Sequence, residues 1–130
     1  MTPLSDAIHS GALRGNVLAR TCPSRDVLKH VTSRWGVLVL IALQGSTKRF
    51  AELRRMVGGV SDRMLAQTLQ TLEEDGFVRR HDHGEVPPRV DYTLTPMGEE
   101  VAEHVRALAD WIEGNLLRIL KPENGPAETA

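Results

Sequence analysis

Cysteine is nearly absent: Cys22 is the one thiol in 130 residues. A single thiol cannot close an intrachain disulfide, so no disulfide framework holds the fold and a reducing, cytoplasmic setting is expected. Long apolar runs are missing too. The longest, GVLVLIAL at residues 36–43, falls well short of the roughly 18 residues a membrane span requires, and is expected to be a buried helical segment. The opening MTPLSDAIHSGALRG has no basic stretch followed by an apolar block, so no signal peptide is expected. No glycine-rich phosphate loop, paired-carboxylate site or Ser/His/Asp arrangement stands out. Neither an enzyme nor a cofactor is expected.

What is present is an ordinary globular balance, 41% hydrophobic and 25% charged, which suits one domain with a real core. The net charge of −1 conceals an uneven spread. Arg20 to Arg80 carries eleven Lys/Arg against six Asp/Glu, whereas Pro96 to the end carries three against seven. Any surface that meets a polyanion belongs in the middle of the chain.

Residues 1–20, weakened by Gly11 and Gly15, read as an arm or a frayed helix. A core helix follows, with Cys22 before Pro23 at the first helical position, an apolar stripe of Leu28, Val31, Trp35, Leu38 and Ala42, and Gly45 as the stop. A shorter helix over TKRFAELRRMV is expected to turn Phe50, Leu53, Met56 and Val57 inward and Arg54 and Arg55 outward, ending at Gly58-Gly59. Ser61 is a good N-cap for a third helix, which runs to Asp75 and closes at Gly76. Two short helices joined by a glycine-bearing turn make a helix-turn-helix. From Phe77 to Leu94 the period changes to that of a β-hairpin whose long tip contains Pro87 and Pro88. Residues 96–121 then read as one long helix of about 36 Å. Its stripe of Val101, Val105, Leu108, Ile112, Leu116 and Ile119 is too long for a three-helix core to cover, so a partner must cover the rest. The tail, 122–130, is expected to be disordered.

The third helix carries the chemistry. Leu65, Leu69 and Leu72 share one face, and Arg63, Gln67, Gln70 and Thr71 project from the other. The major groove of B-DNA admits a helix and displays base-edge donors and acceptors, which arginine, glutamine and hydroxyl groups pair with. Lys48, Arg49, Arg54 and Arg55, with Arg79, Arg80 and Arg89 on the hairpin, are candidates for contacts to phosphate, which fix register and give salt-dependent affinity.

Three stretches, CPSRDVLKHVTSRWGVLVLIAL, RFAELRRMVGGVSDRMLAQTLQTLEEDGFVRR and EVPPRVDYTLTPMGEEV, resemble the HxlR-type winged helix-turn-helix transcriptional regulators over residues 20–115. The chain departs from that family's habit at Ser33 and Arg34, where glycine and lysine are common, and in the tip HDHGE. The resemblance implies a mainly α fold with a small β-hairpin wing: an arm over 1–20, a winged helix-turn-helix core over 21–95 and a dimerisation helix over 96–121. It implies a cytoplasmic homodimer bound to double-stranded, pseudo-palindromic operator DNA, with Ser61 to Asp75 as recognition helix. Ser61, Met64 and Thr68 then join Arg63, Gln67, Gln70 and Thr71 as candidate base contacts. Val101, Val105, Leu108, Trp111, Ile112 and Leu116 become the candidate dimer interface.

Two inputs are open. Cys22 sits at a helix N-terminus near Arg20 and Arg25, which could lower its pKa and make it a redox or electrophile sensor, as in some members of the resembled family; as a packing residue it would be inert. A pocket between the DNA-binding core and the dimer helices could instead admit a small aromatic effector. His81 and His83, two apart on a strand with Asp82 and Glu85 near, form a weak metal motif that reads better as solvated loop residues, so no metal is expected. The remaining alternative is a winged-helix protein-interaction module that has lost DNA binding.

Overall fold

The computed structural model describes residues 14–121. The expected N-terminal arm lies outside them up to residue 13, and the expected tail over 122–130 lies wholly outside. In chain order the elements are α1 (Pro23–Thr32), α2 (Arg34–Leu43), β1 (Thr47–Arg49), α3 (Phe50–Met56), α4 (Asp62–Glu74), β2 (Val78–Asp82), β3 (Val90–Leu94), α5 (Pro96–Gly114) and α6 (Leu116–Leu120). The strands form one antiparallel sheet in the order β1-β3-β2.

The expected first core helix is two helices. Ser33 leaves the helical region (φ −62°, ψ 153°), and its hydroxyl accepts from the Gly36 N–H at 3.1 Å while donating to the His30 carbonyl at 2.9 Å. A Cβ at Gly36 would stand 2.2 Å from that same carbonyl oxygen, so the bend requires glycine there. Because the bend resets the helical phase, one stripe cannot run through both helices. Val31, Val39, Leu40 and Leu43 are buried, whereas Leu28 and Leu38, expected inward, are exposed.

The expected second helix also starts later. Thr47, Lys48 and Arg49 pair with Thr93, Tyr92 and Asp91 as a third strand, so the wing is a three-stranded sheet rather than a bare hairpin. Arg49 becomes the N-cap of α3, its N–H donating to the Glu52 carboxylate at 2.8 Å. Leu53 and Val57 are buried and Phe50 half-buried, but Met56, expected inward, is 54% exposed. Seven residues give α3 less than two full turns of inward face.

α4 runs as expected. The Ser61 hydroxyl accepts from the Met64 N–H at 3.1 Å. At the far end Gly76 (φ +87°) allows the Phe77 N–H to reach back to the Leu72 carbonyl at 2.9 Å. Its leucine face completes a core drawn from α2, α3, the sheet and α5: Leu40, Leu43, Leu53, Leu65, Leu69 and Leu72, with Phe77, Val78, Leu94, Ala102 and Val105.

The expected long helix is broken. Asn115 departs from helical backbone, leaving α5 of 19 residues, about 28 Å, and a five-residue α6. Thr95 caps α5, its hydroxyl accepting from the Gly98 N–H at 3.0 Å and donating to the Gly76 carbonyl at 2.6 Å. Glu99 accepts from the Gly45 N–H at 3.0 and 3.2 Å and so ties α5 to the end of α2.

α5 passes so close to β2 that a Cβ on Gly98 would stand 2.0 Å from the Phe77 carbonyl oxygen, while one on Gly114 would meet nothing within 4 Å. Gly98→Ala is therefore expected to cost about 3 kcal/mol through forced displacement of α5. Gly114→Ala should gain about 0.5 kcal/mol from helix propensity. Urea unfolding of the two variants checks the opposite signs.

Candidate nucleic-acid interface

The orientation of α4 follows from its buried leucines. With Leu65, Leu69 and Leu72 sealed in the core, a rotation of 100° per residue aims Arg63, Gln67 and Gln70 directly away from it. All three are exposed. Gln70 makes a long contact of 3.4 Å to Glu74, which lies on the same outward line. Thr71, expected among the outward residues, is rotated to the flank and half-buried. Met64 and Thr68 share that flank, the Thr68 hydroxyl donating to the Met64 carbonyl at 2.7 Å. Ser61 spends its hydroxyl on the cap. The candidate base contacts thus divide into an outward line and a flank.

The flanking cations divide as well. Arg55, Arg79 and Arg80 are exposed and form no ion pair among the described residues, as does half-buried Lys48 on β1. Arg54 pairs with Asp62 at 2.7 Å, a solvated bridge across the turn of the helix-turn-helix. Successive strand residues face opposite sides of a sheet. Arg80 accordingly lines a cleft of about 310 Å³ beside α4, together with Gln70, Glu73 and Tyr92, and Arg79 points to the other side.

Arg49 and Arg89 are turned toward Asp91, a residue the sequence reading did not single out. Its carboxylate accepts from His83 Nε2 at 2.7 Å and stands 3.6 Å from Arg89 and 3.8 Å from Arg49. The His83 hydrogen bond chiefly holds the Asp91 carboxyl below the usual carboxylate range, with both guanidinium groups assisting against partial burial. The His81 and His83 rings meet edge to face with centroids 4.3 Å apart. Among the described residues no group of three or more His, Cys, Asp or Glu converges as a metal site. His30 bonds through Nδ1 to Asp75 at 2.6 Å and so fastens the end of α1 to the end of α4.

Cys22 is the half-buried N-cap of α1. Its sulfur accepts from the Asn16 N–H at 3.3 Å and from the Ser24 hydroxyl at 3.1 Å. These donors, Asn16 first and then Ser24, lower the thiol pKa from its ordinary value against a smaller opposing effect of burial. The expected cause was Arg20 and Arg25. Arg25 instead donates to the carbonyls of Val17 and Leu18, at 3.1 and 3.0 Å, and holds the preceding turn in place.

On α5, Val105 is 6% exposed and belongs to this chain's own core, and Val101 packs half-buried against it. The open part of the expected stripe begins at Leu108 and continues through Trp111, Ile112 and Leu116, and α6 adds Leu117, Ile119 and Leu120. No helix among the described residues is long and apolar enough to cross a membrane.

The effector pocket expected between core and dimer helices has a counterpart elsewhere. A cleft of about 310 Å³ lies between the α1–α2 junction and the flank of α4, lined by Lys29, His30, Ser33, Trp35, Met64, Gln67, Thr68, Thr71 and Leu72.

The model of the HxlR-like helix-turn-helix family matches residues 30–119. The HTH-type transcriptional regulator YtfH of Escherichia coli (strain K12) is 63% identical over 106 residues, covering 82% of this chain and 84% of that one. The solved structure of the transcriptional regulator ytfH from Salmonella typhimurium is similar at a TM-score of 0.81 and 59% identity, across 85% of this chain and 99% of that one. The redox regulator HypR in its oxidized form is similar at a TM-score of 0.66 and 34% identity, across 72% of this chain and 97% of that one.

The two donors on the Cys22 sulfur predict that iodoacetamide alkylation, in which the thiolate displaces iodide, reaches half its plateau rate below the free-cysteine value of about 8.5. Ser24→Ala should move that midpoint upward. A pH–rate profile of both proteins checks the shift.

Proposed function

We propose, from the premise that this chain belongs to the HxlR-like helix-turn-helix family and is a transcriptional regulator, that it acts as a cytoplasmic homodimer that reads operator DNA with α4. One observation carries the reading: Arg63, Gln67 and Gln70 stand on a single outward line of a helix whose opposite face is locked into the core. Their groups are those that pair with guanine and adenine edges in the major groove. Arg55, Arg79, Arg80 and Lys48, uncommitted among the described residues, supply phosphate contacts around that helix.

Dimerisation is supported by the exposed apolar run from Leu108 to Leu120, in which Trp111 is 53% and Leu117 70% exposed. Such a run is costly to leave in water and characteristic of a contact surface. A two-fold pair would set two copies of α4 near one helical turn apart, about 34 Å, and so read a pseudo-palindrome.

Control by oxidants or electrophiles at Cys22 is supported by the hydrogen-bonded, half-buried sulfur, and by likeness to a structure described as a redox regulator. The sulfur caps α1, and His30 at the other end of α1 bonds to the end of α4. A change at the thiol would therefore be felt at the reading helix through one short rod.

Mobility shifts on duplexes selected by the protein from a random pool test the DNA reading. Arg63→Ala or Gln67→Ala should each cost about 1–3 kcal/mol and relax sequence preference at one position per half-site. Arg79→Ala should weaken all duplexes alike and lower the salt slope by about 1. A chain that selects no duplex, or whose binding is indifferent to salt, contradicts the proposal.

A further inference from the structure

We propose that the cleft between the α1–α2 junction and α4 is a binding site for a small planar aromatic carboxylate, and that its occupant and DNA exclude one another. The mutual exclusion rests on the DNA reading above; the site does not.

The cleft's volume of about 310 Å³ lies at the small end of ligand-pocket sizes, which suits one or two fused rings. Its apolar surface comes from the half-buried Trp35 indole, from Met64 and from Leu72. The guanidinium carbon of the neighbouring, exposed Arg34 lies 5.3 Å from the centroid of the indole, a cation–π contact. A flat, polarisable wall of this kind favours a ring over an aliphatic chain.

The polar groups fall into two sets. His30 is bonded to Asp75, the Ser33 hydroxyl to the His30 carbonyl and the Gly36 N–H, and the Thr68 hydroxyl to the Met64 carbonyl. Among the described residues the Lys29 ammonium, the Gln67 amide and the Thr71 hydroxyl form neither side-chain hydrogen bond nor ion pair. One cation and two neutral hydrogen-bonding groups around an aromatic wall match a carboxylate carried on a ring. Cytosolic aromatic acids of that form are the ligand class.

The competition follows from shared residues. Gln67 lies on the outward line of α4, and Thr71 and Met64 on its flank, so an occupant bonded to Gln67 and Thr71 covers part of the surface proposed to enter the groove.

The probe is 1-naphthoate, with 1-naphthalenemethanol as its uncharged counterpart, titrated calorimetrically into the full-length protein. Saturable 1:1 binding is expected, weakened at least about tenfold by Lys29→Gln and by Trp35→Leu. The alcohol should bind correspondingly worse, and Trp35→Phe should retain most of the affinity. In mobility shifts on a selected duplex, naphthoate should raise the apparent Kd of DNA in proportion to its concentration, and excess DNA should reverse the effect. Lys29→Gln should bind the duplex like the parent yet resist the acid. No saturable binding, or equal affinity in the parent and the Lys29→Gln and Trp35→Leu variants, overturns the site. Binding that leaves DNA affinity unchanged overturns the competition. A protein that binds naphthoate but selects no duplex supports the site and overturns the DNA reading alone.

Discussion

Everything at the surface of α4 depends on how its far side is buried. Leu65, Leu69 and Leu72 are 0, 2 and 1% exposed, and together they fix the rotation of the helix about its own axis. Sliding the helix by one residue would turn it 100°, replacing the Arg63, Gln67 and Gln70 line with Met64, Thr68 and Thr71 in one direction or with Asp62, Ala66 and Leu69 in the other. Each leucine contributes a few kcal/mol of burial, so the helix has no competing rotation within thermal reach. A reading surface needs that rigidity, because a groove contact misplaced by an ångström is no contact.

Around this axis the other elements act as clamps. The Ser61 hydroxyl fixes the start of α4, and the left-handed backbone of Gly76 returns the chain into the sheet at its end. Asp75 is bonded to His30 of α1, and Thr95 ties the start of α5 to Gly76. The end of α4 is thus held from two sides by side chains distant in sequence. A displacement of α1 or α5 reaches α4 through these hydrogen bonds and through the shared core, which is why the N-cap position of Cys22 and the cleft at the α1–α2 junction are the places where control is proposed.

The helix-turn-helix and its orientation were legible because α4 is long enough for its period to show, and because Ser61 and Gly76 punctuate it. Short elements were less so. Three residues of β1 cannot display alternation, so Thr47–Arg49 merged with the helix after them. The break at Ser33 was masked because apolar residues continue on both sides of it, although a serine three residues before a glycine is a capping arrangement that sequence alone contains. Met56 is exposed where the helical period places it inward, and Val105, expected at a dimer interface, is buried in this chain's own core. Met56 is the last residue of α3 and its side chain stays in solvent, and the close approach at Gly98 brings α5 onto the core as far as Val105. The hub at Asp91 was out of reach without strand register, since it joins His83, Arg89 and Arg49 across a sheet whose third strand was not foreseen. The lowered thiol pKa at Cys22 is expected from neighbouring arginines; its cause is instead hydrogen bonding, from the Asn16 N–H of the preceding turn and from Ser24 in the first turn of α1.

On this account two copies of α4 lie in successive major grooves on one face of the duplex. Methylation protection on a duplex selected by the protein tests that placement most directly, because dimethyl sulfate attacks guanine N7 in the major groove and adenine N3 in the minor groove. The account predicts two patches of guanine protection centred about 10 base pairs apart, each lost in Arg63→Ala, with adenine N3 between them left reactive. Protection confined to adenine N3, or no guanine protection under conditions where the duplex is fully bound, would contradict it.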